Sequence, residues 1–337
     1  MKLLIITQKV DAHDPILGFF LRWIEGFARH CERVSVIGQL AREHPFPPNV
    51  HIVSLRKEDG LPVWRQILRF WRLQWSMRRE YDRVFVHMTP VWVLLGAPLW
   101  FCLRKPVYLW YEARGGGWAL PVALRCVRTV FSATAYGLPR RSRRHEILGH
   151  GIDTDFFVPD DAKRDEHLIT AIGRVTRVKH LDVILDAFAQ LDASYRLVLA
   201  GGPVTQQDHE LLQVLEQRMR TSGIHDRVAV GPVSHARVRD VLQQSALLLH
   251  AGSGGLDKVI LEAMACGCPV AVSSRAAQGI LPSECLCTNE TMGSTAKHLF
   301  SLSPEKRTQL ATELRRRVTE GHSLVTLIER MVAAMQR

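Results

Sequence analysis

No stretch of this chain holds about twenty uninterrupted apolar residues, the length a spanning helix needs, so a membrane-crossing helix is not expected. The nearest approach, VWVLLGAPLWFCL at 91–103, is too short and reads as a buried helix. The opening segment, MKLLIITQKV, lacks both a long apolar core and a small-residue cleavage site. No secretory signal is read there, and a cytoplasmic place is expected. Seven cysteines is an odd number for a disulfide framework, and their spacings are not those of a zinc site. The C-x-C pairs Cys266/Cys268 and Cys285/Cys287 therefore read as reduced structural thiols, and no metal is expected. Acidic charge is scarce in the first half. Residues 1–150 hold 23 Lys or Arg against 11 Asp or Glu, whereas the remainder holds 21 against 22. An excess confined to one half predicts an anionic partner there: a phosphorylated acceptor, a membrane surface or a nucleic acid.

What the chain does have is length for two α/β domains and a pattern that runs twice. At 337 residues it exceeds one ordinary core. The first block alternates strands (KLLIITQ, RVSVIG, YDRVFVH, PVYLWYE, TVFSATA) with helical segments (FFLRWIEGFARHC, 61–80, the 91–103 run, 119–127). The second restarts at HLITAIG and continues through LDVILDAFAQL, YRLVLAGG, HELLQVLEQRMRTSG, RVAVGPV, ARVRDVLQQ, ALLLHAG, VILEAMACG and PVAVSS. Regular alternation of this kind predicts two parallel sheets covered on both faces. The expected boundaries are a first domain at 1–150, a polar linker at 151–166, a second domain at 167–320 and a C-terminal helix at 321–337 that packs back toward the first.

Two stretches carry chemistry. In AGSGGLDKVILEAMACGCPV, a loop of small residues precedes a helix, and free amides at a helix N-terminus attract phosphates. Glu262 sits about one turn in, within reach of ribose hydroxyls on a nucleotide at the sheet edge. An amphipathic helix with Glu262 in solvent is the competing reading, and spacing alone does not separate the two. In GRVTRVKHLDVILDAF, a strand runs into a loop with Arg174 and Lys179, two cations that can grip a diphosphate. A solvated basic loop is the alternative there, and Arg177 is read as exposed.

These stretches resemble the family 4 glycosyltransferases of glycosyltransferase group 1, retaining enzymes of GT-B architecture, in which two Rossmann-like α/β domains face each other across a cleft. The family signature is a pair of glutamates eight positions apart, the second followed by Ala-Met-Ala and then Gly-x-Pro-Val. The match implies that Glu262 holds the donor ribose. The first glutamate falls on Gly254, so the carboxylate that contacts the donor sugar is missing, and Asp257 is the candidate to replace it. Gly173, Arg174 and Lys179 match the phosphate-gripping loop except for its last glycine, which is His180 here. The resemblance further places Gly18 beside the donor phosphates, Gly202 and Val233 around the base, and Gly254, Gly255, Leu256 and Asp257 along the donor. A family histidine is expected in LWYEARGGGW, where Ala113 and Arg114 stand instead. His87, ending another strand, and Arg114 are the candidates for its place. GHGIDTDFFVP matches the family's linker strand, so the D-x-D of Asp153 and Asp155 is read as structural.

The function this implies is retaining transfer of a hexose from a UDP- or GDP-linked sugar to an acceptor hydroxyl, in cell-envelope glycan or glycolipid synthesis. The nucleotide sugar is a co-substrate, and no cofactor is needed. Arg174 and Lys179 would act on the leaving group. The alternative is a non-catalytic accessory subunit that binds nucleotide sugar, motivated by Gly254 and the missing histidine. Nucleic acid is not an expected partner, because no reading motif is present. In the helix at 61–80, Trp64, Ile67, Leu68, Trp71 and Trp75 recur at helical spacing among Arg65, Arg69, Arg72, Arg78 and Arg79. Such a helix suits an anionic membrane surface, which would place the protein peripherally on the inner face of the cell membrane. An apolar stripe packed on the sheet is the competing reading.

Overall fold

The structure is a computed structural model that describes every residue except 15–16, 114 and 253–254, and for 235–236 the backbone alone. It divides into two units, one of Met1–Gly151 with Leu324–Arg337, the other of Ile152–Ser323.

The first unit runs β1 (Lys2–Val10), α1 (Phe20–His30), β2 (Arg33–Ala41), β3 (Val50–Ser54), α2 (Val63–Ser76), β4 (Arg83–His87), α3 (Pro90–Cys102), β5 (Val107–Trp110), α4 (Ala119–Cys126), β6 (Thr129–Ser132) and β7 (His145–Ile147). All seven strands are parallel, in the order β3-β2-β1-β4-β5-β6-β7. Successive residues of a strand point to opposite faces, and β1 shows the consequence. Leu3 and Ile5 pack on the side of α1, while Leu4 and Ile6 pack with Phe70, Trp92, Trp100 and Leu120 from α2, α3 and α4. Both faces are covered, which is why these strands read as near-continuous apolar runs.

The second unit runs β8 (Asp165–Ile172), α5 (Leu181–Ala189), β9 (Arg196–Ala200), α6 (Gln206–Thr221), β10 (Val228–Gly231), α7 (His235–Gln244), β11 (Ser245–His250), α8 (Lys258–Ala265), β12 (Val270–Val272), α9 (Met292–Ser301) and α10 (Pro304–His322). Its five parallel strands are ordered β10-β9-β8-β11-β12. The chain then returns to the first unit as α11 (Leu324–Gln336). Ile328 of α11 seats on α1 at Gly26, where an added Cβ would come within 3.0 Å of Ile328. The Tyr108 hydroxyl donates to the Met335 carbonyl at 3.2 Å, and Arg128 donates to the Arg337 carbonyl at 3.0 Å.

Two expectations and one competing reading need correction. The segment after residue 151 is no free linker. Ile152 donates its amide to the His322 carbonyl at 2.9 Å, Phe157 is buried, and Gln243 donates to the Val158 carbonyl at 2.8 Å. Only the polar stretch that follows is exposed. The apolar run at 91–103 is not buried all round. Trp92, Val93, Gly96 and Trp100 face inward, but Val91 lies outside and Phe101 is 85% exposed. Gly96 is required there, since a Cβ would strike the Trp100 ring at 2.2 Å. In α2 the stripe is largely turned outward, although Ile67 packs on the core. Gln66, Phe70 and Gln74 are buried, while Trp64, Leu68, Trp71 and Trp75 are exposed. The packed-stripe reading of the tryptophans therefore fails.

Candidate functional site at the carboxyl end of the second sheet

In the second unit β8 is followed by β9 on one side, and its other neighbour is β11. The strand order thus reverses between β8 and β11, the place where open α/β sheets bind ligands at their carboxyl ends. The two motifs read from the sequence leave the sheet on either side of this point.

After β8, Gly173 takes φ +146°, a conformation that L side chains rarely adopt. Its amide donates to the Ala200 carbonyl at 3.1 Å, and Val175 donates to the Gly202 carbonyl at 3.2 Å. Gly201 is needed as well, because a Cβ there would overlap the Gly173 carbonyl oxygen at 1.9 Å. Arg174 is exposed on this loop, and its charge helps hold Asp208 below the usual carboxylate range, after the larger effect of the Thr205 amide. Arg177 is exposed too. A 3-10 turn over Arg177–Lys179 leads to His180, which caps α5 in the left-handed region at φ 45°. This explains the family's glycine at that position: the backbone is one that a side chain adopts at a cost of about 1–2 kcal/mol.

After β11 comes α8. All residues from Val259 to Ala265 are buried, and Glu262 is only 7% exposed. The amphipathic-helix reading with Glu262 in solvent is therefore excluded. Asp257 is the N-cap residue of α8, yet its side chain makes no capping hydrogen bond. Its carboxylate accepts instead from Lys179 Nζ at 2.5 Å and from His250 Nε2 at 2.6 Å, both on Oδ2. The Gly252 amide donates to His250 Nδ1 at 3.3 Å, which leaves Nε2 as the nitrogen that carries the proton toward Asp257. Burial pushes the Asp257 carboxyl up, but the hydrogen bond from His250, with the charge and hydrogen bond of Lys179, outweighs it and holds the group well below the usual carboxylate range.

Lys179 and Asp257 are thus brought together. The Lys179 stem also lies close against Gly173, where an added Cβ would come within 3.1 Å of it. Gly255 is half-buried and Leu256 is buried beside them. Gly202 and Val233 follow β9 and β10, both half-buried. Gly254 lies outside the described residues. The sequence reading missed His250. Its signal was its place as the last residue of a strand, directly before the small-residue loop and seven positions from Asp257.

The candidates of the first unit fare differently. Gly18 donates its amide to the Asp14 carbonyl at 3.0 Å, and a Cβ there would meet that oxygen at 2.8 Å, so the glycine is required by its own loop. His87 is only 1% exposed, stacked on Phe20 with ring centroids 4.1 Å apart, and meets Thr7 Oγ1 at 3.5 Å. Packing, not substrate contact, is what the structure gives His87. Arg114 lies outside the described residues. The neighbouring Glu112 accepts from the Ala133 amide at 2.6 Å and the Thr134 amide at 3.3 Å, which fixes the loop after β6. Asp153 Oδ1 accepts from the Asp155 and Phe156 amides, a local turn in keeping with a structural D-x-D.

Two parallel sheets, each reversing strand order beside its glycine loop, define a chain of two nucleotide-binding-like α/β units. Comparison with known proteins places it more closely. Residues 166–315 match the family model "Glycosyl transferases group 1". The chain is similar to D-inositol 3-phosphate glycosyltransferase of Mycobacterium avium, 33% identical over 154 residues, covering 41% of this chain and 34% of that protein. It is also similar to mannosylfructose-phosphate synthase of Agrobacterium fabrum, 28% identical over 154 residues with the same coverage. The matched part spans about a third of the length of these relatives. Among solved structures, Anabaena HepE in complex with UDP superimposes with a TM-score of 0.78 at 16% identity, covering 100% of both chains. Sucrose-phosphate synthase from Thermosynechococcus elongatus does so with a TM-score of 0.78 at 16% identity, over 100% of this chain and 98% of that one. The fold is the GT-B fold of glycosyltransferases, and the match of residues 166–315 agrees with the resemblance to glycosyltransferase group 1.

Proposed function

We propose that the protein is a retaining glycosyltransferase that moves a hexose from a UDP- or GDP-linked sugar to an acceptor hydroxyl in cell-envelope glycan or glycolipid synthesis. The observation that carries this reading is the joining of Lys179 and Asp257 across the β8/β11 switch point, beside a buried Glu262. Glu262 accepts hydrogen bonds from the donor ribose. Arg174, Lys179 and the uncapped amides of α8, with Gly255 and Leu256 leading into it, neutralise the diphosphate as it departs. Charge that develops in the transition state is where such groups contribute most. The bond from the sugar's anomeric carbon to the phosphate oxygen breaks, the bond to the acceptor oxygen forms on the same face, and the acceptor's proton passes to the leaving phosphate. No carboxylate nucleophile is needed, so glycine at 254 is compatible with turnover. Asp257 holds Lys179 until phosphate arrives and is the carboxylate available to sugar hydroxyls. Gly202 and Val233 border the base. Gly18 is assigned to the donor phosphates by resemblance alone.

One observation favours a second reading, a non-catalytic subunit that binds nucleotide sugar: the enclosure of His87 removes one of the first unit's two candidates for contact with the reacting sugar, leaving Arg114. A product assay with UDP- and GDP-sugars and lipid-linked acceptors separates the two. Transfer with retained anomeric configuration supports the enzyme. Nucleotide binding without turnover for any pair supports the subunit, and absence of nucleotide binding ends both.

The first unit carries the acceptor side and the membrane contact. No described helix is long and apolar enough to cross a membrane. Instead α2 presents Trp64 at 58% exposure, Trp71 and Trp75, with Arg65 over Trp64 at 4.9 Å and Arg78 over Trp75 at 4.5 Å. Aromatic rings beside cations fit the interface of an anionic bilayer, at its inner face.

A further inference from the structure

Between the outer faces of α3 and α4 the first unit has an open groove of about 1350 Å³. Its wall is apolar, from Leu94, Ala97, Pro98 and Val122, and ends at Phe101. Its rim is cationic, with Arg104, Arg125, Arg128 and Arg144 and no acidic side chain among the described lining residues. Soluble surfaces seldom leave a Phe 85% exposed beside further bare apolar groups without a partner for them. Arg104 adds an independent observation. It closes α3 at φ 52°, the left-handed position where glycine is at ease, with its amide donating to the Phe101 carbonyl at 3.0 Å and that of Lys105 to the Trp100 carbonyl at 2.8 Å. An arginine thus stands among the groove's lining residues at a helix end where glycine would be less strained.

We propose that this groove binds one anionic phospholipid, an acyl chain along the apolar wall and the phosphate among Arg104 and Arg125. The charge complementarity selects the occupant: an apolar slot ended by cations matches a molecule with an apolar tail and an anionic head. The tryptophan face of α2 adjoins the helix that walls the groove, since the Trp71 indole donates to the Leu95 carbonyl of α3 at 2.9 Å. The inference therefore extends the membrane reading of α2 and partly rests on it. It differs in kind, because a groove takes a single lipid molecule, whereas α2 lies on a surface.

The natural cysteines supply the probe. Cys102 and Cys126 line the groove and are exposed, whereas Cys31, Cys266, Cys268 and Cys285 are buried, and the half-buried Cys287 is replaced by Ala in every labelled protein. The Cys126→Ala protein carrying an environment-sensitive fluorophore on Cys102 is titrated with dihexanoyl phosphatidylglycerol below its micellar concentration, and with the phosphatidylcholine analogue. A saturable blue shift with the anionic lipid is expected, at least tenfold weaker in Phe101→Ser and in Arg104→Gly. Arg104→Gly relieves backbone strain, so its melting temperature should hold or rise, and a loss of lipid binding in it is not a loss of folding. The α2 variant with Arg65, Arg69 and Arg72 replaced by Glu should keep monomeric lipid binding while losing binding to phosphatidylglycerol vesicles. Vesicle binding without any response to monomeric lipid overturns the groove and leaves α2 intact. Equal response to both headgroups, or unchanged response in Arg104→Gly, overturns the cationic rim. No response to monomer or vesicle overturns both.

Discussion

The helices α2 and α8 each cover a parallel sheet, and they treat charge and apolar surface in opposite ways. α8 is buried along its length and encloses a glutamate. α2 buries two glutamines around one phenylalanine and turns three tryptophans outward. A buried acid in an otherwise apolar helix, and bare aromatics on a helix that could have packed them, are both departures from what burial alone favours. On the function proposed above, each departure marks where its unit would meet a ligand: a donor at α8, a surface at α2.

The contrast can be broken most forcefully at Phe70. It is the single large apolar side chain of α2 that is fully buried, meeting Trp92 with ring centroids 4.7 Å apart. Phe70→Ala should cost about 3–5 kcal/mol of stability, measurable by urea unfolding. A cost near that of a surface change would mean that α2 is not seated as described. Next in size is the proposed phosphate grip. Lys179→Ala should weaken UDP or GDP binding by roughly 1.5–3 kcal/mol, the range for a charged hydrogen bond, whereas Arg177→Ala should change it little. Equal effects from the two would turn the loop back into a merely basic one.

A third test uses Gln74, whose side-chain nitrogen and oxygen are both buried without a partner among the described residues. Gln74→Met should stabilise the first unit by about 1–3 kcal/mol, since a buried polar group without partners carries a penalty of that order. Destabilisation would show that the glutamine is used. The smallest expected effect is on the outward face. Trp64→Ser with Trp75→Ser should shift stability by no more than about 0.5 kcal/mol while weakening vesicle binding several-fold in a sedimentation assay. A pH series sharpens the other side. Because Asp257 is held below its ordinary value of 3.8, its contribution is fully present above that pH and is lost as pH falls through the lowered value. Asp257→Asn should therefore lower the melting temperature by a constant amount from pH 5 to pH 8, with the gap closing only in strong acid.

Much of this was legible in the sequence. The twofold alternation gave the strands and helices of both units, because strands buried on both faces leave unmistakable apolar runs. The turn at Gly173 was legible as well, since a strand end followed by glycine and cations predicts a tight loop, and Gly173 does take φ +146°. What escaped has a common cause. β3 and β7 are short strands at the sheet edges, half-exposed and thin in apolar signal. The segment after residue 151 looked polar, yet Ile152 and Phe157 anchor it to the second unit. Helical spacing showed that the tryptophans of α2 share a side but not which way that side faces. His87 ends a strand as a site histidine would, and only packing against Phe20 reveals that it is enclosed. His250 ends a strand just before the small-residue loop, but its partner became evident only once Asp257 was seen to turn back toward it.

The central claim is that Glu262 and Lys179 belong to a nucleotide site at the carboxyl end of the second sheet. Calorimetric titration of UDP and GDP into the wild type and Glu262→Gln tests it most directly, with circular dichroism to confirm folding. The account predicts measurable binding of at least one nucleotide by the wild type and an affinity at least tenfold lower in Glu262→Gln, because the amide keeps the shape but loses the charge-assisted bonds to ribose. Equal affinity in the two proteins would contradict it.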